Sequence, residues 1–516
     1  MENTNNKPRY IAEIVNGQYA HWHDEFIIFD APTHSGKTHF VLNVFCEYAQ
    51  REDRHVLYLC NRKQLRKNIE RTVRQLQYSH VRVLTYQHLQ KLILNDEDFS
   101  EYHYIIFDEI HYLTSDAFNE YTDVAYKFLM NQNGNVCILM SATAKSLFRY
   151  LLESKKVKPK NYFVIEKDYS FVEHVYLYKA DVLTTIIDKI LERRPKEKIL
   201  VFCNSAKRVL EMSSIYKDVA EYHCSQSTKN QKLKEICNAD VIKHYSDDCV
   251  TFEKQILFTT KVLDNGIDFK DAAIKHIFTE IFDLDSMVQS LGRKRSLHPS
   301  DTCDYYIKNY SMQAISCFEQ IIKKQLEPVK LLKKNHEEFY KAYGGGKERK
   351  RLRNLKCLYM NFEEKNGSTK NRTLTNGDVR INNMMYLKFN FDFREIAKMK
   401  AIKYSAVVSD WLGKELALKM ELVDVDPIKK DLFLDYLESK KSEFLFADER
   451  KELKSEFEKI GLRDRYMGIH TLNGKLKDKK YPFVIKSGRD KRRTLNDGSD
   501  NPNRDKAYWI IEEIST

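Results

Sequence analysis

The feature that most constrains this chain is a short apolar run that leads into a loop of small residues, a lysine–threonine pair and a second apolar stretch. The run is FIIFD at 26–30, and the loop is APTHSGKT at 31–38. A buried strand followed by such a loop and a helix is the setting in which backbone amides and a helix N-terminus bind phosphate groups. The same residues would also form a strand-to-helix turn with a helix-capping role. Because Gly-Lys-Thr after a buried strand is fairly specific, the pattern favours a phosphate-binding loop.

Each residue type in this loop has a task in that interpretation. Backbone amides would point at phosphate oxygens, and the central ones belong to Thr33, His34, Ser35 and Gly36. The Lys37 ammonium would reach the β- and γ-phosphates, and the Thr38 hydroxyl would bind Mg²⁺. The predicted ligand is therefore a triphosphate with Mg²⁺.

A pair of carboxylates follows another apolar run, about 70 residues further along. YIIFD at 104–108 ends in Asp108, and Glu109 comes next. A carboxylate at the C-terminal edge of a buried strand suits a Mg²⁺ partner, and its neighbour could polarise an attacking water. Two acidic residues at a strand end also act simply as turn formers. The phosphate-binding loop favours the first reading, because both features would lie at the same edge of one sheet.

Strand-length apolar runs alternate with amphipathic stretches over most of the first 310 residues. In 1–165 these runs are FIIFD, VLYLC (56–60), RVLTY (82–86), YIIFD and VCILM (136–140). In 170–312 they are KILVFC (198–203), KQILFTT (254–260) and IKHIFTE (274–280). Nearly continuous apolar strands separated by helices are typical of parallel sheets covered on both faces. The predicted fold class is α/β, with two tandem parallel-sheet domains.

The last segment, 313–516, has a different pattern. It is predicted to be a mainly helical accessory region, with a polar loop at 363–384 and a closing strand in KAYWIIEEI. Its end, from 385 onwards, could include a winged-helix-like module whose β-wing is RDKRRTLNDGSDNPNRDKAYWIIEEI. The alternative is an all-helical domain that packs on the rest of the chain and contacts protein partners.

The positive charge of the chain is concentrated in this last segment. The formal net charge is +12, of which 341–516 carries +11. One basic cluster comprises Lys347, Arg349, Lys350, Arg351, Arg353 and Lys356. The other comprises Lys475, Lys477, Lys479, Lys480, Lys486, Arg489, Lys491, Arg492 and Arg493. Such clusters follow a phosphate backbone in some proteins and form solvated surface in others, and the asymmetry alone does not choose between them.

Composition and cysteine spacing exclude several other classes of protein. No apolar run approaches the ~20 residues that a membrane span needs, so no membrane association is expected. The ten cysteines form no C-x-x-C pair, and the set His223, Cys224, Cys237, His244 and Cys249 is too loosely spaced to favour a metal site. Buried free thiols in an intracellular protein are the simpler interpretation.

At this point the motifs resemble those of superfamily 2 DEAD/DEAH-box helicases and translocases, in the DExH branch. Residues 31–38 are similar to motif I, and Asp108–His111 reads D-E-I-H, similar to motif II. Ser141-Ala142-Thr143 matches motif III, and VFCNSAKRV (201–209) resembles motif IV. Residues 260–268 fit motif V, and Gln289–Arg295 resembles motif VI. Six motifs in the expected order over about 300 residues make the set far more specific than any single member.

The resemblance implies two RecA-like domains with ATP between them and single-stranded nucleic acid across both. It assigns Glu109 as the base that activates water, Asp108 as the Mg²⁺ partner and Gln289 as a group facing that water. It makes Arg293 and Arg295 candidates for the arginine finger and leaves open which of them fills that role. Coupling between nucleotide and domain movement would fall to His111, Ser141, Thr143 and Thr260, and Gly266 and Asp268 would report between ATP and nucleic acid.

The leading functional expectation is an ATP- and Mg²⁺-dependent helicase or translocase acting on nucleic acid, with DNA preferred over RNA, in replication, repair or the biology of phages and mobile elements. One alternative is a nucleotide-switched clamp on nucleic acid or a protein complex that hydrolyses ATP without unwinding. Another is a site-specific, origin-type DNA-binding protein with an accessory motor. Strand-displacement assays separate the first from the second, and DNA footprinting with 313–516 alone tests the third.

Overall fold

The computed structural model describes residues 10–32, 35–179, 182–224, 231–237, 239–246, 249–261, 267–345, 351–360, 377–423, 425–460, 462, 467–495 and 497–514. The chain forms two compact units. The first comprises Met1–Val175 and Leu200–Met420, and the second comprises Tyr176–Ile199 and Glu421–Thr516. The segment predicted as one accessory region, 313–516, is thus divided between the two units.

The N-terminal part of the first unit is built on a six-stranded sheet. Its strands are β1 (Phe26–Asp30), β2 (His55–Cys60), β3 (Val81–Thr85), β4 (Tyr102–Asp108), β5 (Val136–Ser141) and β6 (Tyr162–Val164). The strand order is β3-β2-β4-β5-β1-β6, and every neighbouring pair is parallel. The loop after β1 and the carboxylates after β4 therefore lie at the same, C-terminal edge of the sheet, as the sequence predicts.

Helices connect these strands and cover both faces of the sheet. They are α1 (Ile11–Val15), α2 (Lys37–Phe40), α3 (Cys46–Arg51), α4 (Lys63–Gln75), α5 (Tyr86–Leu94), α6 (Tyr112–Ser115), α7 (Glu120–Met130) and α8 (Lys145–Glu153). A π-helical turn, Val41–Phe45, joins α2 to α3, and Gln18–His21 and Pro159–Asn161 are short 3₁₀ helices.

The apolar strands divide their side chains between two hydrophobic clusters. In β1, Ile27 and Phe29 enter one cluster, and Phe26 and Ile28 enter the other. This follows from the two-residue period of a strand, which places successive side chains on opposite faces. Both faces are buried, which is why the strands read as continuous apolar runs instead of alternating with polar residues.

A second sheet of seven strands follows in the chain. Its members are β7 (Val172–Tyr178), β8 (Lys198–Phe202), β9 (Ala220–His223), β12 (Ile256–Thr259), β13 (Ile274–Thr279), β14 (Cys303–Lys308) and β17 (Met420–Leu422). The order is β17-β7-β14-β13-β8-β12-β9, with β13–β14 and β9–β12 parallel. A small hairpin, β10 (Lys243–Ser246) with β11 (Cys249–Thr251), stands apart. The accompanying helices are α9 (Leu183–Arg193), α10 (Ala206–Ile215), α11 (Gln231–Ile236) and α12 (Leu284–Leu291), with a 3₁₀ turn at Ala239–Val241.

The part of the first unit beyond β14 is mostly helical and packs on the first sheet. It contains α13 (Met312–Lys334), α14 (His336–Tyr343), the pair β15 (Leu358–Met360) and β16 (Val379–Ile381), α15 (Asn383–Ile402), α16 (Tyr404–Leu412) and α17 (Lys414–Leu418). Val329, Phe339 and Met384 belong to the same buried cluster as Ile28. The predicted loop at 363–384 is wrong at its end, because β16 and the start of α15 lie there.

Three helices and a hairpin form most of the second unit. They are α18 (Val425–Ser439), α19 (Ala447–Lys459), α20 (Ile469–Asp478), β18 (Phe483–Arg489) and β19 (Ala507–Glu513). The two strands pair antiparallel, and backbone bridges join Lys441 and Leu445 to β19. Tyr481, Phe483 and Trp509 are buried in its core.

The structure also bears on membrane-spanning helices and on the cysteines. Among the described residues, no helix is both long and apolar enough to span a membrane. All ten cysteines are free, and Cys317 alone is exposed.

Leu472 gives a test of the second unit's core, since its side chain is fully buried on α20. We expect Leu472→Ala to lower the free energy of unfolding of this unit by about 2–5 kcal/mol, through lost burial and a residual cavity. Lys477→Ala, at an exposed position of the same helix, should change it by less than about 0.5 kcal/mol. Urea titration followed by Trp fluorescence and circular dichroism measures both, and equal shifts would contradict the assignment of the core.

Candidate active site

The phosphate-loop lysine is buried at the edge of the first sheet. Gly36 has φ +76°, a conformation that favours glycine, and it caps the N-terminus of α2. The Lys37 ammonium donates to the carbonyl oxygens of Ala31 (2.6 Å) and Pro32 (2.7 Å). Burial lowers the pKa of Lys37, and the charges of Glu109 and Asp108 oppose that shift. The lysine therefore lies inside the loop and close to both carboxylates.

The remaining loop residues are partly described. The Ser35 hydroxyl donates to the carbonyl oxygen of Pro32 (2.7 Å), and Thr38 is half-buried in the first turn of α2. Thr33 and His34 lie outside the described residues, as does Gly266.

Asp108 is held from several directions at the end of β4. The Tyr58 hydroxyl donates to Oδ2 (2.7 Å), and the backbone amide of Glu109 donates to Oδ1 (3.0 Å). The Tyr86 hydroxyl donates to the Asp108 carbonyl oxygen (2.9 Å). Burial, followed by the negative charge of Glu109, raises the pKa of the Asp108 carboxyl well above its usual range. The sequence offered no signal for these roles of Tyr58 and Tyr86, because neither residue belongs to a motif and their partner Asp108 is distant in the chain.

Glu109 has a backbone conformation that is rare for its residue type. Its φ is +50°, so the chain turns sharply at the end of β4. Such a conformation costs on the order of 1–3 kcal/mol and is concentrated at functional sites. Burial would raise the pKa of Glu109, but the hydrogen bond and charge of His111, followed by the charges of Lys37 and Arg293, outweigh it and hold that pKa below its usual range. The carboxylate is thus ionised at neutral pH.

A continuous chain of polar contacts runs from Glu109 to the second sheet. His111 Nδ1 lies 3.1 Å from Glu109 Oε2 and 3.2 Å from the Ser141 hydroxyl. That hydroxyl accepts from the Thr143 amide (3.0 Å). The Thr143 hydroxyl in turn accepts from Gln289 Nε2 (2.5 Å) on α12. The structure therefore brings together five of the residues predicted from separate motifs.

The two candidate arginines share one carboxylate. Arg293 Nη1 lies 3.4 Å from Asp268 Oδ1, and Arg295 Nε donates to Asp268 Oδ2 (2.9 Å). Backbone hydrogen bonds from Phe269 to Arg293 (2.7 Å) and from Arg295 to Phe269 (2.8 Å) fix this pairing. Thr260 follows β12 and is half-buried. The charge of Arg293 acts on Glu109 and that of Arg295 on Lys37, so both lie near the predicted nucleotide site.

The residues at this edge fit a bound Mg²⁺. Two adjacent carboxylates lie here, with Asp108 buried and Glu109 half-buried. A divalent cation would relieve the repulsion that contributes to the raised pKa of Asp108. Asp108 and the Thr38 hydroxyl would hold the ion, which would neutralise charge on the phosphates.

Comparison with protein families agrees with this geometry. Residues 10–149 match the DEAD/DEAH box helicase family, and residues 179–295 match the helicase conserved C-terminal domain. This chain carries the two motor domains of a superfamily 2 helicase. It is an ATP-hydrolysing enzyme of the helicase type, and its two parallel sheets are the tandem RecA-like fold. No curated protein matches the sequence.

Solved structures similar to this helicase include two of Saccharomyces cerevisiae Dbp5 bound to RNA and ADP BeF3. One is of a point variant, with 14% identity and a TM-score of 0.36. The other has 12% identity and a TM-score of 0.38. Each match covers 58% of this chain and 83% of the other.

Lys37→Ala and Glu109→Gln should separate nucleotide binding from hydrolysis. Removing the lysine should weaken ATP binding at least tenfold, since its ammonium is the loop's positive charge. Glu109→Gln should leave the Kd for ATP within about threefold but lower kcat about 10²–10⁴-fold, as expected for loss of a general base. Equilibrium binding of a fluorescent ATP analogue and phosphate release measure these effects. Full hydrolysis by Glu109→Gln would contradict the predicted role of this residue.

Proposed function

We propose that this chain is a DExH-type, ATP-driven translocase or helicase that moves along DNA. The observation that carries the proposal is the hydrogen bond from Gln289 to Thr143, because it ends a polar chain that starts at Glu109. A change at the nucleotide can therefore reach α12 through a few contacts. If both RecA-like domains hold the nucleic-acid strand, each cycle of domain closing and opening converts ATP hydrolysis into a step along that strand.

Hydrolysis in this arrangement depends on positioning and charge. Glu109 would accept a proton from the attacking water, and Lys37 would stabilise charge on the transferred phosphate. Arg293 or Arg295 would contribute from the second RecA-like domain, and such an arginine typically adds about 10³–10⁵ in rate. Both arginines now pair with Asp268, so that carboxylate would orient them before ATP closes the site.

The DExH assignment rests on the contacts of His111. Its imidazole lies against the Glu109 carboxylate and the Ser141 hydroxyl. An imidazole at this position can donate to the carboxylate, whereas an acidic side chain would repel it.

The second unit supports DNA as the track. Its order of three helices followed by an antiparallel hairpin resembles a winged-helix module. Lys477, Lys479 and Lys480 are exposed at the end of its third helix, α20. The major groove of B-form DNA admits an α-helix, whereas the deep, narrow major groove of A-form RNA does not. A basic third helix therefore favours duplex DNA.

The loop between β18 and β19 would supply further phosphate contacts. Asp490 accepts two hydrogen bonds from the Arg492 guanidinium (2.9 and 2.7 Å) and one from Asn501 (3.0 Å). These bonds hold the loop in place and pair the Arg492 guanidinium with Asp490. Arg489, Lys491 and Arg493 are exposed around this point and would face a phosphate backbone.

ATPase assays of the full chain with single-stranded DNA, duplex DNA and RNA test the proposal. We expect DNA to stimulate hydrolysis more than RNA. The double variant Lys477→Ala, Lys480→Ala should weaken duplex binding and reduce the slope of log K against log salt by about 2, the value expected for two lost phosphate contacts.

The matched control is Lys451→Ala, Lys459→Ala on α19, which changes the net charge equally but removes lysines already paired with Asp448 and Glu456. It should leave the slope unchanged. Hydrolysis that ignores every polymer would contradict the translocase, and stronger stimulation by RNA would contradict DNA as the track. Strand displacement then separates unwinding from translocation alone.

A further inference from the structure

A small cavity lies where α6 and the residues after β5 meet α12. Its volume is about 10 Å³, close to what a single water molecule requires. The walls come from four segments of the first unit. They are the residues after β4 (His111, Thr114 and Ser115), Thr143 after β5, the start and body of α12 (Asp283, Asp285, Ser286 and Gln289), and Lys388 of α15. The cavity thus touches motif II, motif III and the helix of motif VI together.

Three polar atoms from the walls of this cavity are buried without a hydrogen-bond partner among the described residues. They are Nε2 of His111, Oγ of Ser115 and Oδ1 of Asp285. A buried polar atom without a partner is costly, and such atoms are usually satisfied by an ordered water. A water with three partners in a site of this size has the usual environment of an internal water.

The helix that carries Asp285, α12, is fixed at its N-terminus. Asp283 caps α12 by accepting from the Ser286 amide (2.9 Å), and Lys388 donates to both Asp283 and Asp392. Asp285 is one-twelfth exposed, and burial, followed by the negative charge of Asp283, raises its pKa to about 7. Any displacement of α12 would therefore move Asp285 relative to His111.

We propose that Asp285 is a positioning residue for ATP hydrolysis, acting through one bound water that links its carboxylate to Nε2 of His111. The other ring nitrogen of His111 contacts Glu109, so the water orients the imidazole that in turn holds the carboxylate. The inference rests on the proposed role of Glu109 as the base. Together with Gln289, Asp285 gives α12 a second contact with the catalytic edge of the first sheet.

This arrangement makes the orientation of Glu109 depend on the position of α12. Lys388 extends the dependence to α15, because it fixes the capping residue of α12 from outside the two RecA-like domains. A partner or substrate that moves α15 would then change the rate of hydrolysis without touching the nucleotide.

Steady-state ATP hydrolysis by the full chain tests the proposal. We expect Asp285→Ala to lower kcat about tenfold while the KM for ATP stays within about twofold, because the residue orients a group and does not bind the nucleotide. Asp285→Asn keeps an oxygen that can accept from the water, so it should recover most of the lost kcat. Asp410→Ala, which removes a largely exposed carboxylate from α16, is the control and should match the unsubstituted protein.

A double-substitution cycle with His111→Ala makes the test specific. If Asp285 acts through His111, Asp285→Ala should have no further effect on kcat when His111 is already alanine. Additive losses, an unchanged kcat in Asp285→Ala, or a rise in KM alone would overturn the proposal. Glu109→Gln is measured in parallel, so that a failure of the proposed base is seen separately from a failure of Asp285.

Discussion

Three ionisable side chains at one edge of the first sheet constrain the rest of the active site: Lys37 and Asp108 are buried, and Glu109 is half-buried. Lys37 follows β1, and Asp108 and Glu109 lie at the end of β4; these two strands flank β5 in the parallel sheet. Burying such groups is strongly unfavourable unless each is paired or hydrogen-bonded. The loop carbonyls satisfy the lysine, Tyr58 satisfies Asp108 and His111 satisfies Glu109. The site is therefore charged and preorganised for a triphosphate and its cation.

The need to pair and orient Glu109 also links the first RecA-like domain to the second. His111 can hold Glu109 only while its own ring is oriented, and Ser141 and Thr143 connect that ring to Gln289. Arg293 and Arg295 are kept near the site by Asp268. If Glu109 is the base, as proposed, hydrolysis and domain position would be coupled, because the residues that orient Glu109 also form the contact between the domains.

Features that depend on a short stretch of sequence, such as the buried strands and the loops after them, were predicted from the sequence. FIIFD matches β1 residue for residue, and YIIFD forms the end of β4, because buried parallel strands have a distinctive apolar pattern. The strand-then-motif pattern also predicted that Lys37 and Glu109 lie at the same edge of the first sheet. The bond between Lys388 and Asp283 spans 105 residues and belongs to no motif, so nothing in the sequence pointed to it. Likewise, 176–199 joins 421–516 in one unit, a division that depends on tertiary packing and not on local pattern.

The most direct test of the central claim is to measure ATP binding and hydrolysis in Arg293→Ala and Arg295→Ala. If the second domain completes the site, at least one variant should bind ATP with a Kd within about threefold of the unsubstituted protein. That same variant should hydrolyse it about 10³-fold more slowly, as expected for a lost arginine finger. The variant with the larger loss would identify the finger. Normal hydrolysis by both variants would contradict a catalytic site that is shared between the two domains.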